Sequence, residues 1–230
     1  MKIKNHIKSL LKKDNRIIIF ILKLLLKLYN YLNHNNKIIT VNNKFIFGIT
    51  YLGGVKLKIL GKNNKVIIRD YTKLLNCNII IYGNDNLIKI DKNCYLKDVE
   101  FWIENDKNKI LVGEHTTIHG KTQLATMEST KILIGKDCMF SNDIYFRTGD
   151  SHSIIDLQGK RTNPSKDIII GNHVWIGQRN IVLKNTEVAD NCIIGANSIL
   201  CKKYLEPNSI IVGSPAKIIK NNINWLRERI

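Results

Sequence analysis

The sequence predicts an all-β chain folded as a parallel β-helix. Aliphatic residues recur six positions apart from residue 168 to residue 200: Ile170, Ile176, Val182, Val188, Ile194 and Leu200. A small or medium-sized residue follows four positions later in most repeats: Val174, Asn180, Thr186, Cys192 and Ser198. No helix has a period of six and a strand alternates in two, so the repeat describes short strands separated by corners. Three such faces close one coil, with the aliphatic side chain inside and glycine allowing the turn beside it.

The same ladder continues towards the N-terminus. Three trios have hexad spacing: Ile90, Leu96 and Trp102; Val112, Ile118 and Leu124; Ile134, Phe140 and Phe146. These trios start 22 residues apart, whereas the step from Ile134 to Ile170 is 36 residues, which indicates a large insertion in one coil. Residues 45–90 are typical of short strands with turns rich in glycine and asparagine, and we expect irregular early coils there.

The hexad run over 168–200 and the string IIVGSPAKII at 210–219 resemble the hexapeptide-repeat acyltransferases of left-handed β-helix fold. Within that family the chain looks most like the O-acetyltransferases of bacterial sugars and surface polysaccharides such as capsule, lipopolysaccharide or sialic acid. The resemblance covers roughly residues 88–230. It implies a left-handed winding, acetyl-CoA as co-substrate, a sugar or glycan acceptor, and a cyclic homotrimer with each site between two protomers.

Three segments are predicted along the chain. Residues 1–39 form a basic amphipathic helical segment, residues 40–218 the β-helix, and residues 219–230 a short C-terminal helix. A stripe of cations at helical spacing marks the first segment: Lys8, Lys12, Arg16, Lys23 and Lys27. Its apolar run is too short to span a bilayer and lacks a signal cleavage site. Either residues 1–34 lie on an anionic membrane, or the helix covers the open end of the β-helix.

Composition adds weaker constraints. The net charge of +17 suggests a polyanionic partner, but the cations are spread along a chain rich in lysine, and nucleic-acid binding is not predicted. Cys94, Cys138 and Cys192 occupy the small inward position of the repeat, whereas Cys77 and Cys201 have no such interpretation. Structural thiols indicate a reducing compartment, so we expect a cytoplasmic protein, with peripheral contact at the inner face of the membrane as an added alternative. No pair of cysteines has zinc-ligand spacing, and no metal is expected.

The insertion at 147–167 contains the central catalytic candidate. His152 stands in the string Asp150-Ser151-His152-Ser153, and the resemblance places the family's catalytic histidine in a loop here, followed by the VWIG string with Trp175. A sugar hydroxyl is a poor nucleophile, so a base near neutral pKa is needed to remove its proton. Two interpretations remain open for Asp150 and Asp156. Either carboxylate orients the imidazole, or it stabilises a turn of the loop. His115 and His173 fall on one corner two coils apart, roughly 10 Å, which is too far for one metal ion.

The resemblance implies the candidates for the coenzyme: Gln178, Ala196, Cys201, Lys202, Lys217 and Lys220. For the acceptor it implies Glu128. Asn142 and Arg147 are added as acceptor candidates because they lie on the approach to the loop. The chain has Lys121-Thr122-Gln123 where relatives often carry asparagine, which leaves the acceptor open. The function predicted is acetyl-CoA-dependent O-acetylation of a surface glycan or its precursor. The alternatives are N-acetylation of an amino sugar and a non-catalytic scaffold at the membrane.

Overall fold

The computed structural model describes residues 16–230, which form one helix and a three-sided parallel β-helix. Each coil contributes one strand to each of three sheets, here called A, B and C, with strands numbered in chain order. Sheet A contains β1 (Lys37–Ile38), β4 (Lys56–Leu60), β7 (Asn78–Tyr82), β10 (Val99–Glu104), β13 (Thr122–Met127), β16 (Tyr145–Arg147), β19 (Ile181–Leu183) and β22 (Ile199–Leu200). Sheet B contains β2 (Lys44–Phe47), β5 (Lys65–Ile68), β8 (Leu87–Ile90), β11 (Lys109–Val112), β14 (Lys131–Ile134), β17 (Ile168–Ile170), β20 (Glu187–Val188) and β23 (Lys203–Tyr204). Sheet C contains β3 (Tyr51–Gly53), β6 (Lys73–Leu75), β9 (Tyr95–Lys97), β12 (Thr117–Ile118), β15 (Met139–Phe140), β18 (Trp175–Ile176), β21 (Ile193–Ile194), β24 (Ile210–Gly213) and β25 (Ala216–Lys220).

The predicted left-handed β-helix is confirmed, and its core is the interior of the prism. All six hexad residues between 170 and 200 are buried, as are the small residues that alternate with them. Two polar members of that inner set are satisfied within the corner. Asn180 donates from Nδ2 to the carbonyl of Gly177 at 2.8 Å and accepts from the Ser198 amide at 2.9 Å. Cys94, Cys138 and Cys192 point inward at the BC corner as predicted, and Cys77 is fully buried at the CA corner.

The prediction is wrong for one core residue, Trp102. Trp102 is only half-buried and faces outward, whereas Phe101 and Ile103 on the same strand are fully buried. Leu96 and Phe101 are five residues apart, so this corner is one residue shorter than a regular hexad. A slip of one residue in a strand moves every side chain to the other face. The Trp102 indole therefore donates from Nε1 to Glu104 at 2.7 Å on the surface.

The corners are named by the sheets they join: AB, BC and CA. At the AB corner, a ladder of side-chain amides links successive coils, since each asparagine oxygen accepts the amide hydrogen of the corresponding residue one coil later. The ladder consists of Asn43, Asn64, Asn86, Asn108 and Thr130. At the BC corner a Cβ added to Gly135 would collide with the backbone of Gly171, so the close stacking of coils requires glycine there.

Helix α1 (Arg16–Leu32) lies against the first coil. Its buried Asn30 donates from Nδ2 to the Thr50 carbonyl at 2.8 Å and accepts the Leu52 amide at 3.0 Å. Tyr29 stacks on Tyr51 with ring centroids 5.4 Å apart. These contacts satisfy backbone groups at the open end of the β-helix, which is the task of a solenoid cap. Sheet A begins at Lys37, three residues before the predicted boundary at 40.

The opposite face of α1 is apolar and uncovered. Seven of its side chains are exposed: Phe20, Ile21, Leu24, Leu25, Leu28, Tyr31 and Leu32. Lys23 and Lys27 are exposed beside them, while Lys8 and Lys12 of the predicted basic stripe lie outside the described residues. Within residues 16–230, no helix combines the length and the apolar character needed to cross a bilayer.

The predicted C-terminal helix over 219–230 is wrong. Residues 216–220 form β25, which pairs antiparallel with β24, and the chain from residue 221 onward is irregular. Polar groups of the tail form hydrogen bonds with sheet C and the BC corner, and these bonds replace those that a helix would form within itself. The buried Trp225 side chain, 5% exposed, anchors it there.

Candidate active site

The inserted loop leaves the β-helix at the AB corner. It begins after Arg147 at the end of β16, one residue later than predicted, and ends before Ile168 at the start of β17, as predicted. The register across the insertion is intact, because Ile134 pairs with Ile170 in sheet B. The coil is therefore regular on both sides, and the loop projects from a rigid edge.

His152 is exposed near the start of this loop. Its backbone is held by the buried Asn163, whose Nδ2 donates to the His152 carbonyl at 2.9 Å and to Asp150 Oδ2 at 2.7 Å. The Asn163 Oδ1 accepts the Ile154 amide at 2.7 Å. One asparagine thus links three positions around the histidine. Sequence reasoning missed it, although an asparagine before Pro164 is a turn signal that could have singled it out.

The two carboxylates predicted as partners of His152 make other contacts. Asp150 binds Lys184 Nζ of the next coil at 2.6 Å. The hydrogen bond from Lys184, with that from Asn163, holds the pKa of Asp150 below its ordinary value. Asp156 accepts the amides of Gln158 and Lys160 at 3.0 and 2.8 Å. Asp156 therefore stabilises a turn, and Asp150 ties the loop to the β-helix.

Glu128, predicted to meet the acceptor, anchors the far side of the loop. Its Oε1 lies 2.8 Å from Arg161 Nη2, and its Oε2 accepts the Ser165 amide at 3.1 Å. The Arg161 hydrogen bond lowers the pKa of the Glu128 carboxyl. Both of its oxygens are occupied by the loop, so Glu128 holds the loop in place in this chain.

Arg147 lies between the strand and the histidine. Its guanidinium donates to the Gly149 carbonyl at 3.1 Å, the Tyr145 hydroxyl at 3.0 Å and Ser151 Oγ at 2.8 Å. A guanidinium carries five N–H groups, so two of those of Arg147 have no hydrogen-bond partner among the described residues.

A second cluster surrounds Trp175 on sheet C. The indole is 38% exposed and stands in line with Met139 and Ile193 of the neighbouring coils. It borders a groove of about 560 Å³ that extends to the CA corner. Asn142, predicted near the histidine loop, lies at this corner, at the other end of β16.

Several predicted coenzyme residues continue along the same edge. Gly177, next to Gln178, packs against the backbone of Ala196, and Gly195 packs against Val212. Val212 in turn pairs with Lys217 of β25. The exposed Gln178 and Ala196 therefore lie on successive layers of the CA edge, and the exposed Lys217 lies two strands further, beyond β24. Lys220 pairs with Ile210 at the other end of that strand pair. Cys201 and Lys202 follow β22, which places them at the AB corner instead.

The predicted site residues thus form two groups on different parts of the prism. His152, Arg147 and Asp150 are at the AB corner, whereas Trp175 projects from sheet C, the side opposite that corner. Because the core fills the space between them, the two groups do not meet within one chain.

A feature of the groove that sequence reasoning missed is the C-terminal clasp, formed by Asp137, His173, Trp225 and Arg227. His173 Nδ1 lies 2.7 Å from Asp137 Oδ2, and Arg227 Nε donates to Asp137 Oδ1 at 2.9 Å. Arg227 also lines the groove, and Trp225 is 6.1 Å from Trp175 between ring centroids. Within residues 16–230, no group of three or more His, Cys, Asp or Glu side chains is arranged to hold a metal ion. His173 is a structural residue of the clasp.

The chain is similar to known proteins over most of its length. The profile of the bacterial transferase hexapeptide family (six repeats) matches residues 167–202. A polysialic acid O-acetyltransferase of Neisseria meningitidis is 36% identical over 190 residues, covering 82% of this chain and 87% of that protein. A polysialic acid O-acetyltransferase of Escherichia coli O1:K1 / APEC is 36% identical over 142 residues, covering 61% of this chain and 45% of that protein.

Solved structures agree with these matches. The polysialic acid O-acetyltransferase OatWY superposes with a TM-score of 0.79 at 33% identity, covering 85% of this chain and 92% of that one. The polySia-specific acetyltransferase NeuO superposes with a TM-score of 0.75 at 32% identity, covering 84% and 88%. The chain therefore belongs to the hexapeptide-repeat O-acetyltransferases, in the family that includes these polysialic acid enzymes.

Proposed function

We propose that this enzyme transfers an acetyl group from acetyl-CoA to a hydroxyl of a sialic-acid-containing capsule polysaccharide. The relatives named above act on polysialic acid, a polymer with a carboxylate on every sugar. The free N–H groups of Arg147 next to His152 suit such a carboxylate, since guanidinium groups bind carboxylates with directional hydrogen bonds. The net charge of +17 also favours an acidic acceptor, because a positively charged protein attracts a polyanion.

The observation that carries the proposal is the separation of His152 from Trp175 within one protomer. In a cyclic trimer, the AB corner of one protomer faces the sheet C groove and CA edge of its neighbour, and the two groups combine into one site. The neighbour supplies Trp175, Gln178, Ala196 and Lys217 for the coenzyme, and the loop supplies the base. Burial between protomers also excludes water from the thioester.

The chemistry then needs one base and no covalent enzyme intermediate. The His152 imidazole accepts the proton of the sugar hydroxyl while the oxygen attacks the thioester carbonyl. The tetrahedral intermediate expels the coenzyme A thiolate, and the imidazolium returns the proton to that sulfur. Asn163 holds the His152 carbonyl, and Arg147 holds the Gly149 carbonyl and the Ser151 hydroxyl just before it, so the backbone that carries His152 is fixed.

Mixed oligomers test this arrangement. His152→Ala and Trp175→Ala chains are purified separately, then unfolded and refolded together. If the site is shared, an interface that joins an intact loop to an intact groove arises in about a quarter of random pairings. We expect the mixture to regain roughly that fraction of wild-type acetylation of polysialic acid, well above either parent. Activity equal to the average of the parents, or an active monomer in light scattering, would overturn the shared site.

We further propose that the outer face of α1 binds an anionic membrane. The exposed Leu24 and Leu28 lie beside exposed Lys23 and Lys27, a combination that suits the interface of acidic lipids. A Leu24→Glu/Leu28→Glu variant keeps Asn30 and the cap but should lose co-sedimentation with phosphatidylglycerol vesicles. Equal vesicle binding by this variant and the wild type would contradict the proposal.

A further inference from the structure

A column of lysines runs along the AB corner towards the His152 loop. Lys44 pairs in register with Lys65, Lys65 with Leu87, Leu87 with Lys109, and Lys109 with Lys131. Each residue is the first of its strand in sheet B, so the side chains point outward in line. With neighbouring strands about 4.8 Å apart, the column extends roughly 19 Å.

The column ends at the catalytic loop. Lys131 binds Asp167, the last residue of the insertion, through its backbone amide at 3.0 Å and its Nζ at 3.5 Å. In the described part of the chain, Lys44, Lys65 and Lys109 form no ion pair, and all three are exposed. They line a groove of about 650 Å³, to which Asp85 contributes one carboxylate.

The fold holds these charges in place. Each column residue directly follows one member of the amide ladder: Asn43, Asn64, Asn86, Asn108 and Thr130. The ladder amides of 64, 86 and 108 are buried, so the backbone under the lysines is rigid. Like charges directly opposite on neighbouring strands destabilise a sheet, and Lys44–Lys65 is such a pair. A bound polyanion removes that repulsion.

We propose that the lysine column (Lys44, Lys65, Lys109 and Lys131) is a binding site for an anionic polysaccharide, separate from the acetyl-transfer site. The ligand is a chain with a carboxylate on successive sugars, which lies along the AB corner while one of its residues reaches His152. This inference rests on the proposed acceptor class, and it explains how the enzyme retains a polymeric acceptor. Several weak carboxylate–ammonium contacts on one chain act together, so affinity depends on polymer length. Each contact is screened by salt.

The test uses two matched triple variants of the full chain. Lys44→Gln/Lys65→Gln/Lys109→Gln removes three charges from the column. Lys37→Gln/Lys56→Gln/Lys73→Gln removes the same charge from exposed lysines at the CA and BC corners. Binding of fluorescent long-chain polysialic acid and of a sialic acid dimer is measured by anisotropy, without acetyl-CoA, at two salt concentrations. Acetylation of both acceptors is then followed.

We expect the column variant to bind the long polymer at least ~10-fold more weakly and to show a smaller salt dependence, as the loss of several screened contacts implies. Its kcat and its KM for the dimer should match the wild type, and the control triple should bind the polymer as the wild type does. Equal weakening in both triples would overturn the site, since only net charge would then matter. A column variant that no longer binds phosphatidylglycerol vesicles but still binds the polymer as the wild type does would also overturn the proposed site. If the wild-type protein binds the polymer but does not acetylate it, the proposed function is contradicted, while the lysine column remains supported as a binding site.

Discussion

His173 and Trp225 stack face to face across the BC corner, with ring centroids 4.1 Å apart and planes inclined by 8°. The Trp225 indole donates to the His173 carbonyl at 2.9 Å, and His173 Nε2 lies 3.0 Å from the Trp225 carbonyl. With Asp137 Oδ2 2.7 Å from Nδ1, each ring nitrogen lies beside an oxygen atom. The C-terminal tail is thus fixed beside the Trp175 groove by a reciprocal contact.

Replacing His173 should release the tail without unfolding the β-helix. His173→Ala removes an aromatic stack and the ring's hydrogen bonds, roughly 2 kcal/mol together. Tryptic cleavage after Arg227 should rise about 30-fold, because cleavage follows the population of the open tail. His119→Ala is the matched control, since the His119 ring packs against Tyr95 and not against Trp225. Unchanged cleavage in His173→Ala would show that the stack contributes little.

The clasp should also loosen at acidic pH. Burial raises the pKa of Asp137, but hydrogen bonds from His173 and Arg227 outweigh it, and the pKa is lowered overall. A carboxyl with a lowered folded-state pKa stabilises the protein above its unfolded pKa, about 3.9, and loses that contribution as pH falls through the folded value. The Trp225 indole N–H resonance should therefore broaden below about pH 4. In Asp137→Asn the tail should already be loosened at neutral pH, without a further acid step.

Glu128 and Arg161 should act as one unit that holds the loop. Glu128→Gln and Arg161→Gln should each increase tryptic cleavage at Lys160 and lower kcat, and the double variant should add little to either. A coupling of about 0.5 to 1 kcal/mol is expected for a partly exposed pair. Glu187→Gln, which breaks the Lys203 pair of 2.8 Å, is the control. Additive effects of Glu128 and Arg161 would instead favour a direct acceptor contact for Glu128.

The His152→Ala variant should keep the fold and coenzyme affinity while kcat falls by at least ~10²-fold. The residue is exposed on an insertion, and the proposed coenzyme contacts lie on the CA edge. Trp175→Ala should lower kcat/KM but retain the pH dependence of the wild type. His115→Ala should stay within about twofold of the wild type, because the His115 ring has one hydrogen-bond partner among the described residues, the exposed Asn93. Near wild-type turnover in His152→Ala would falsify the mechanism.

The sequence by itself determined the later coils, most of their inward residues and, to within one residue, the bounds of the insertion, whereas the regular coils over 45–90 were expected to be irregular. Each inward position repeats within a few residues along the chain, so burial leaves a local signal that can be counted. The signal failed at Trp102, where one shorter corner shifted the face, and at residues 219–230, where contacts with sheet C replaced a helix.

Only the tertiary structure decided which polar side chains meet. Asp150 pairs with Lys184, 34 residues away, and His173 with Trp225, 52 residues away. The stacking of coils and the path of the tail bring these partners into contact, and no short-range sequence pattern predicts them. The assignment of His152 and Trp175 to different parts of the prism has the same cause, because the three-sided winding sends residues close in sequence to separate faces.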